Sequence, residues 1–226
     1  MRKFPKLRLL GIAALAVAAD VAYADVSFHG YGQVVMGTTF SNNRTFPPSS
    51  VGYNYHADPT FTPNSDFALQ ATAPLSGGIS ATTQILARGD DDFQPKFHWA
   101  FLKYQFNDAV ALKVGRLQTP YYQYSDYQNV GEAYPWVVPP EALYFSYAPS
   151  FDGLNLSMEK YAGNWFFFLQ AIYGGYDQST TTPQVTPTGT VNANIDIHVT
   201  NLTGFALDAT YNEWLSLRAA AFVQDL

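Results

Sequence analysis

Apolar and polar residues alternate with a period of two along most of the chain, and that period predicts β-strands. The alternation is clearest over 97–117. There Ala100, Leu102, Tyr104 and Phe106 share one face, while Trp99, Phe101, Lys103 and Gln105 share the other. Asn107 and Asp108 follow, two residues that tolerate the left-handed backbone of a tight hairpin. Val110, Leu112 and Val114 then alternate with Ala111 and Lys113. Similar alternation predicts strands over 26–40, 65–75, 79–88, 154–161 and 165–173, a strand ending at Tyr211, and a last one over 214–223. One apolar and one polar face per strand means a sheet held between two different solvents.

The connections between these strands also alternate. Those at 41–64, 118–150 and 176–194 are long and that at 89–95 is of middling length, whereas 76–78, 107–108, 162–164 and 212–213 are short. Outer-membrane barrels join their strands in this way, with short turns at the periplasmic end and longer loops outside. The pattern holds with 141–147 counted as loop rather than as a strand of the wall. Tyr104 with Phe106, Tyr161 with Trp165, and Tyr211 with Trp214 bracket the short turns, as a girdle of rings at headgroup level would. Cross-strand aromatic pairs in a soluble sheet are the alternative. The expected fold class is therefore all-β, an antiparallel transmembrane β-barrel.

Composition sharpens this expectation without proving it. Aromatic residues make up 16% of the chain and charged residues 13%, at a mean hydropathy of −0.10. A wall with lipid outside and water inside combines many rings with average hydropathy, but so does a secreted β-sandwich. After residue 24 no apolar run approaches the roughly twenty residues that a membrane helix needs. At the N-terminus, Arg2, Lys3, Lys6 and Arg8 precede an apolar run over 9–19, and Ala22-Tyr23-Ala24 supplies an A-x-A cleavage site. Residues 1–24 are read as a secretory signal peptide, and 25–226 as the barrel domain.

Of 12 Lys and Arg residues four lie in that leader, and of 18 Asp and Glu residues one does, so the mature chain carries a net charge near −9. Such a balance gives no electrostatic reason to bind nucleic acid. There is no cysteine, which excludes disulfides and thiolate metal sites. The strand count comes to nine, whereas bacterial single-chain barrels close with even numbers. The chain is accordingly read as the N-terminal portion, a fragment, of a larger barrel.

Several motifs in order resemble Gram-negative outer-membrane porins. They are Phe28-His29-Gly30-Tyr31-Gly32, Trp99-Ala100-Phe101-Leu102-Lys103-Tyr104-Gln105-Phe106 and Val114-Gly115-Arg116, then Tyr124-Ser125-Asp126-Tyr127, Asn129-Val130-Gly131, Tyr134-Pro135-Trp136 with Pro139-Pro140, and Phe151-Asp152-Gly153. The resemblance spans 25–223. It implies a sixteen-strand barrel with an inward-folded third loop, a water-filled channel for passive diffusion of small hydrophilic solutes or ions, and a homotrimer set in outer-membrane lipid. Two departures are the end on Leu226, where the family ends on an aromatic residue, and the missing later strands.

By this resemblance the third external connection, 118–150, is the constriction. Tyr121, Tyr124, Tyr127, Tyr134 and Trp136 supply flat faces, Asp126 and Glu132 negative charge, and Lys113, Arg116 and Arg88 the opposing cations. Carboxylates facing cations across a narrow passage set up a transverse field that sorts solutes by charge. An external loop packing its own rings, or a row of rings on which sugars slide, are the other readings of the same residues. Arg116 shares parity with the lipid-facing Leu112 and Val114. Either a bulge at Gly115 turns it inward, the favoured reading, or it lies at the membrane interface. Asp90-Asp91-Asp92 lacks the spacing of a dedicated Ca²⁺ loop. His29, His56, His98 and His198 form neither a triad nor a zinc set, so no catalytic residue, metal or cofactor, and no enzyme, is expected. Two further readings compete with a channel: a non-conducting barrel that anchors or adheres, and the secreted sandwich binding carbohydrate.

Overall fold

Strand pairing between neighbours in sequence is what short turns and period-two segments dictate, and the computed structural model follows that rule throughout. It describes residues 25–40, 55–127, 130, 133, 136, 144, 149–186 and 189–225; the segment read as a signal peptide lies outside them. Nine strands form one antiparallel sheet in chain order. They are β1 (Ser27–Gln33), β2 (Asp66–Pro74), β3 (Ile79–Arg88), β4 (Pro95–Asn107), β5 (Val110–Gln118), β6 (Ser150–Ala162), β7 (Trp165–Thr186), β8 (Gly189–Tyr211) and β9 (Leu215–Asp225). Among the described residues β1 and β9 do not pair with each other, so the sheet is open.

The two faces are sorted in the reverse of a soluble protein. Leu69, Leu102, Phe205 and Val223 on one face are more than half exposed, while Gln84, Asn155 and Gln170 on the other are buried. Register explains the sorting: Leu112 opposes Tyr104 and Leu156, and Leu156 opposes Ala171, so apolar residues line up across strands on the outward face. The inward face carries a polar layer in which Trp99 Nε1 and Gln84 Nε2 both donate to Gln70 Oε1, at 3.2 and 3.4 Å. From Trp165 to Gly175, β7 takes ten steps, or about 34 Å of strand. At the usual tilt of about 40° this projects to about 26 Å, close to the about 25 Å of a barrel's apolar band.

Strand number and most boundaries agree with the alternation, and three expectations are corrected. The segment 176–194, rich in Thr, Pro and Gly, is not a loop. It continues β7 and β8 as a paired hairpin from Tyr176↔Val199 to Thr186↔Gly189, because a ladder is held by backbone hydrogen bonds that need no apolar pattern. The first strand ends at Gln33 rather than near Phe40.

Arg116 is not turned inward either. The registers Phe101↔Gly115, Ala100↔Arg116 and Arg116↔Asp152 run without a shift, so Gly115 makes no bulge. Gly115 takes φ 137°, and a Cβ there would meet the Ala100 carbonyl oxygen at 2.4 Å; it serves close strand approach instead. Arg116 keeps the outward parity at the long-connection end of β5, where Nε and Nη2 each donate to Asp152 at 2.9 Å. Asp152 thus gives the outward guanidinium a partner on the neighbouring strand.

The ring girdle at the short-turn end is present in part. Tyr104 and Phe106 meet edge to face at 4.7 Å, and Trp165 lies 5.0 Å from Tyr211, all on the outward face. Tyr161 instead has inward parity and packs on Phe166 at 4.8 Å.

Candidate functional site

The connection after β5 leaves and returns at one point, since the Thr119 amide donates to the Pro149 carbonyl at 2.9 Å. Thr119 and Pro120 are fully buried there. They sit beside an apolar cluster on the inward face, formed by Leu117, Phe151, Ile172, Tyr176, Val199 and Leu202. Gly174 gives Phe151 its room, because a Cβ on it would meet the Phe151 ring at 2.8 Å. The next residues reach far across the sheet. Arg218 of β9 donates through Nη2 to the Pro120 carbonyl at 2.6 Å and through Nη1 to Asp208 at 2.5 Å. The Tyr121 ring meets Phe222 of β9 edge to face at 4.7 Å, and its hydroxyl donates to Gln224 Oε1 at 3.3 Å.

Arg218, Phe222 and Gln224 all have inward parity on β9, so the base of the connection lies over the inward face from β5 to β9. A short 3₁₀ turn at Ser125–Tyr127 follows, braced by the Tyr122 amide donating to Ser125 Oγ at 2.9 Å. This turn presents Asp126 to the wall. Asp126 is exposed to solvent, yet protein packed around the turn disfavours the charged carboxyl and raises it above its ordinary value of 3.8; Lys113 and Arg218 pull it back down, and Asp208 adds to the rise. Tyr127 is raised too, first by burial and then by Tyr124 and Asp126. Lys113 has inward parity on β5, with its ammonium 5.3 Å from the Phe101 ring centre. One carboxylate on the connection therefore lies within electrostatic reach of two cations on the wall, one of which Asp208 already grips.

The rings form a contacting chain. Tyr121 lies 6.2 Å from Tyr122, Tyr122 5.1 Å from Tyr144, and Tyr144 stacks on Tyr124 at 5.8 Å and 6°. Tyr124 continues to Trp136 at 6.3 Å and to Tyr127 at 5.6 Å.

Of the residues expected at the constriction, Tyr121, Tyr124, Asp126, Tyr127, Trp136 and Lys113 are brought together. Arg116 is outward with Asp152, as described above. Arg88 stays at the end of β3, where its guanidinium grips Asp90 at 3.0 and 2.6 Å; a partner two residues away wins over one across the lumen. Glu132 and Tyr134 lie outside the described residues. Asp91 pairs with Lys96, so two carboxylates of the acidic run are engaged by cations. Among the described residues no three His, Asp or Glu side chains converge as a metal would need.

Sequence reasoning missed Arg218, Asp208, Tyr144 and Phe222. For Arg218 a signal existed: in β9 it alternates with Leu217 and Ala219, which puts a cation on the inward face.

No family model matches this chain, and no curated protein sequence is similar to it. Solved structures similar in architecture include two of an outer-membrane protein. One is a loop L8 deletion mutant of OmpT, an outer membrane protein of Vibrio cholerae, at 11% identity and a TM-score of 0.40, covering 88% of this chain and 70% of that one. The other is outer-membrane expressed OmpT of Vibrio cholerae, at 11% identity and a TM-score of 0.38, covering 88% and 66%. The structures that this sheet is similar to are thus bacterial outer-membrane proteins. One expectation is corrected: the sequence reading denied the chain an enzymatic role, and that denial is withdrawn.

Proposed function

We propose that the protein is an outer-membrane barrel whose lumen conducts small hydrophilic solutes and ions, with the 118–150 connection as its constriction. The observation that carries this reading is the tether of Pro120 and Tyr121 to Arg218, Phe222 and Gln224, which holds the base of the connection over the inward, polar face. Segment 1–24 as an export signal, and lipid against the outward face, belong to the same reading. A carboxylate opposed by Lys113 and Arg218 fits a charge filter better than a sealed plug, because hydrophobic side chains would close a lumen at lower desolvation cost. That arrangement also disfavours a purely adhesive barrel, whose interior has no use for a transverse field.

Planar bilayers test this directly. The protein reconstituted at neutral pH is expected to give discrete ion-current steps; their absence would count against a channel. The pH profile carries a second expectation. Protein packed around the turn raises the folded-state pKa of Asp126, so the folded protein takes up this proton at a pH where a free aspartate is still ionised. The docked arrangement therefore gains stability as pH falls through that window and loses it as pH rises. Protonation removes one negative charge from the lumen, so the cation-to-anion permeability ratio is expected to drop with a midpoint above 3.8. Asp126→Asn should hold the low ratio at every pH, and a wild-type profile in that variant would show that Asp126 does not face the ion path.

A further inference from the structure

We infer that the inward face at the short-turn end of β6 and β7 binds organic ammonium ions, at a site separate from the 118–150 connection. Glu159 supplies the charge, and Tyr161, Phe166 and Phe168 supply the ring faces. The inference goes beyond the channel reading, because it needs water on the inward face but no ion current. Register builds the site. Glu159 opposes Phe168 and Tyr161 opposes Phe166 across the β6–β7 ladder, all four with the inward parity of Asn155 and Gln170. Directly opposed residues of an antiparallel pair stand about 5 Å apart at Cβ, and same-face residues of one strand about 7 Å. The four side chains therefore make one small patch, in which the Tyr161 and Phe166 ring centres are 4.8 Å apart. Ser157 opposes Gln170 one row further along, so the wall turns from polar to aromatic at this level.

The patch is open and its charge is unmatched. Tyr161 is 74% exposed, and Glu159 is exposed beside it. Among the described residues Glu159 forms no ion pair. Arg218 is held by Asp208, which lies across β8 from Phe168, and Lys160 has the opposite parity. The Glu159 amide donates to the Ala109 carbonyl, and Lys113 stands four residues further along, about 13 Å of strand away. A ring face is the negative side of a quadrupole and attracts a cation within about 6 Å of its centre. A methylated ammonium joins a charge to an apolar shell, so it gains from the rings and from Glu159 together. A small hydrated ion gains from Glu159 alone, and a neutral apolar solute from the rings alone.

The test is isothermal titration calorimetry on the full chain in a maltoside detergent. Choline is the probe, and neohexyl alcohol, its uncharged carbon isostere, is the control. Saturable choline binding is expected, with the alcohol about tenfold weaker or more. Glu159→Gln and Phe168→Leu should each weaken choline about fivefold or more, while Tyr161→Phe, which keeps the ring, should stay within about twofold. Trp136→Ala, on the 118–150 connection, should bind choline as the wild type does. Absence of choline binding, equal binding of the two probes, or wild-type affinity in both Glu159→Gln and Phe168→Leu would overturn the inference and leave the channel reading in place. So would a loss in Trp136→Ala as large as that in Phe168→Leu, since it would move the cation to the connection. Choline binding without current steps in bilayers would instead refute the channel reading alone.

Discussion

Excision of residues 121–136 is expected to raise single-channel conductance about two- to threefold and to admit solutes that the intact protein excludes. The connection is tethered over the inward face at Pro120 and Tyr121, and its rings and Asp126 occupy space that water would otherwise fill. Conductance follows the narrowest cross-section of a wet pore. The cut leaves the wall intact, because the strands on either side, β5 and β6, pair along their whole length from Val110↔Met158 to Gln118↔Ser150. Conductance measured in planar bilayers against the full-length protein checks it. An unchanged value would mean that the connection lies outside the ion path, whatever it packs against.

The second large effect concerns the outward face. Leu156→Arg is expected to destabilise the folded protein in lipid vesicles by about 2–4 kcal/mol, the cost of a cation near the mid-depth of a barrel's lipid face. Leu156 sits between Leu112 and Ala171 in register and is 46% exposed, with no acidic side chain opposite it. Ser157→Arg, one residue along and facing the other way, should cost about 1 kcal/mol or less, because the lumen side offers water. Urea unfolding of the two variants in vesicles reads the difference. Equal costs would mean that the two faces see the same solvent. Arg116 does not break the rule, since it stands at the edge of the band with both donors on Asp152.

Much of the sheet was legible because each strand carries one apolar and one polar face, which writes a period of two into the sequence. Leu102, Tyr104 and Phe106 against Phe101, Lys103 and Gln105 needed no tertiary knowledge. The far half of the β7–β8 hairpin was illegible for the opposite reason. Beyond Tyr176 the sequence is rich in Thr, Pro and Gly and no longer alternates, and the ladder is carried by backbone hydrogen bonds.

At the site, local signals carried over and distant ones did not. The rings and Asp126 announced themselves as a cluster in sequence, but the tether of Pro120 to Arg218 spans 98 positions, and no local pattern encodes which wall strand a connection will reach. Arg88 misled because a cation on a neighbouring strand was counted as opposing the connection, whereas Asp90 two residues on offered a nearer partner. Arg116 misled in another way. The parity of its neighbours gave the right face, and the wish to keep a charge out of lipid invoked a bulge that the unbroken register and Asp152 make unnecessary.

Tryptophan quenching in vesicles whose acyl chains are brominated near the headgroup end addresses most directly whether lipid meets the outward face. Trp165 lies in the outward girdle beside Tyr211, whereas Trp99 faces inward and donates to Gln70. In variants retaining one or the other as sole tryptophan, strong quenching of Trp165 with little effect on Trp99 is the predicted result. Quenching of Trp99 as strong as that of Trp165 would contradict it.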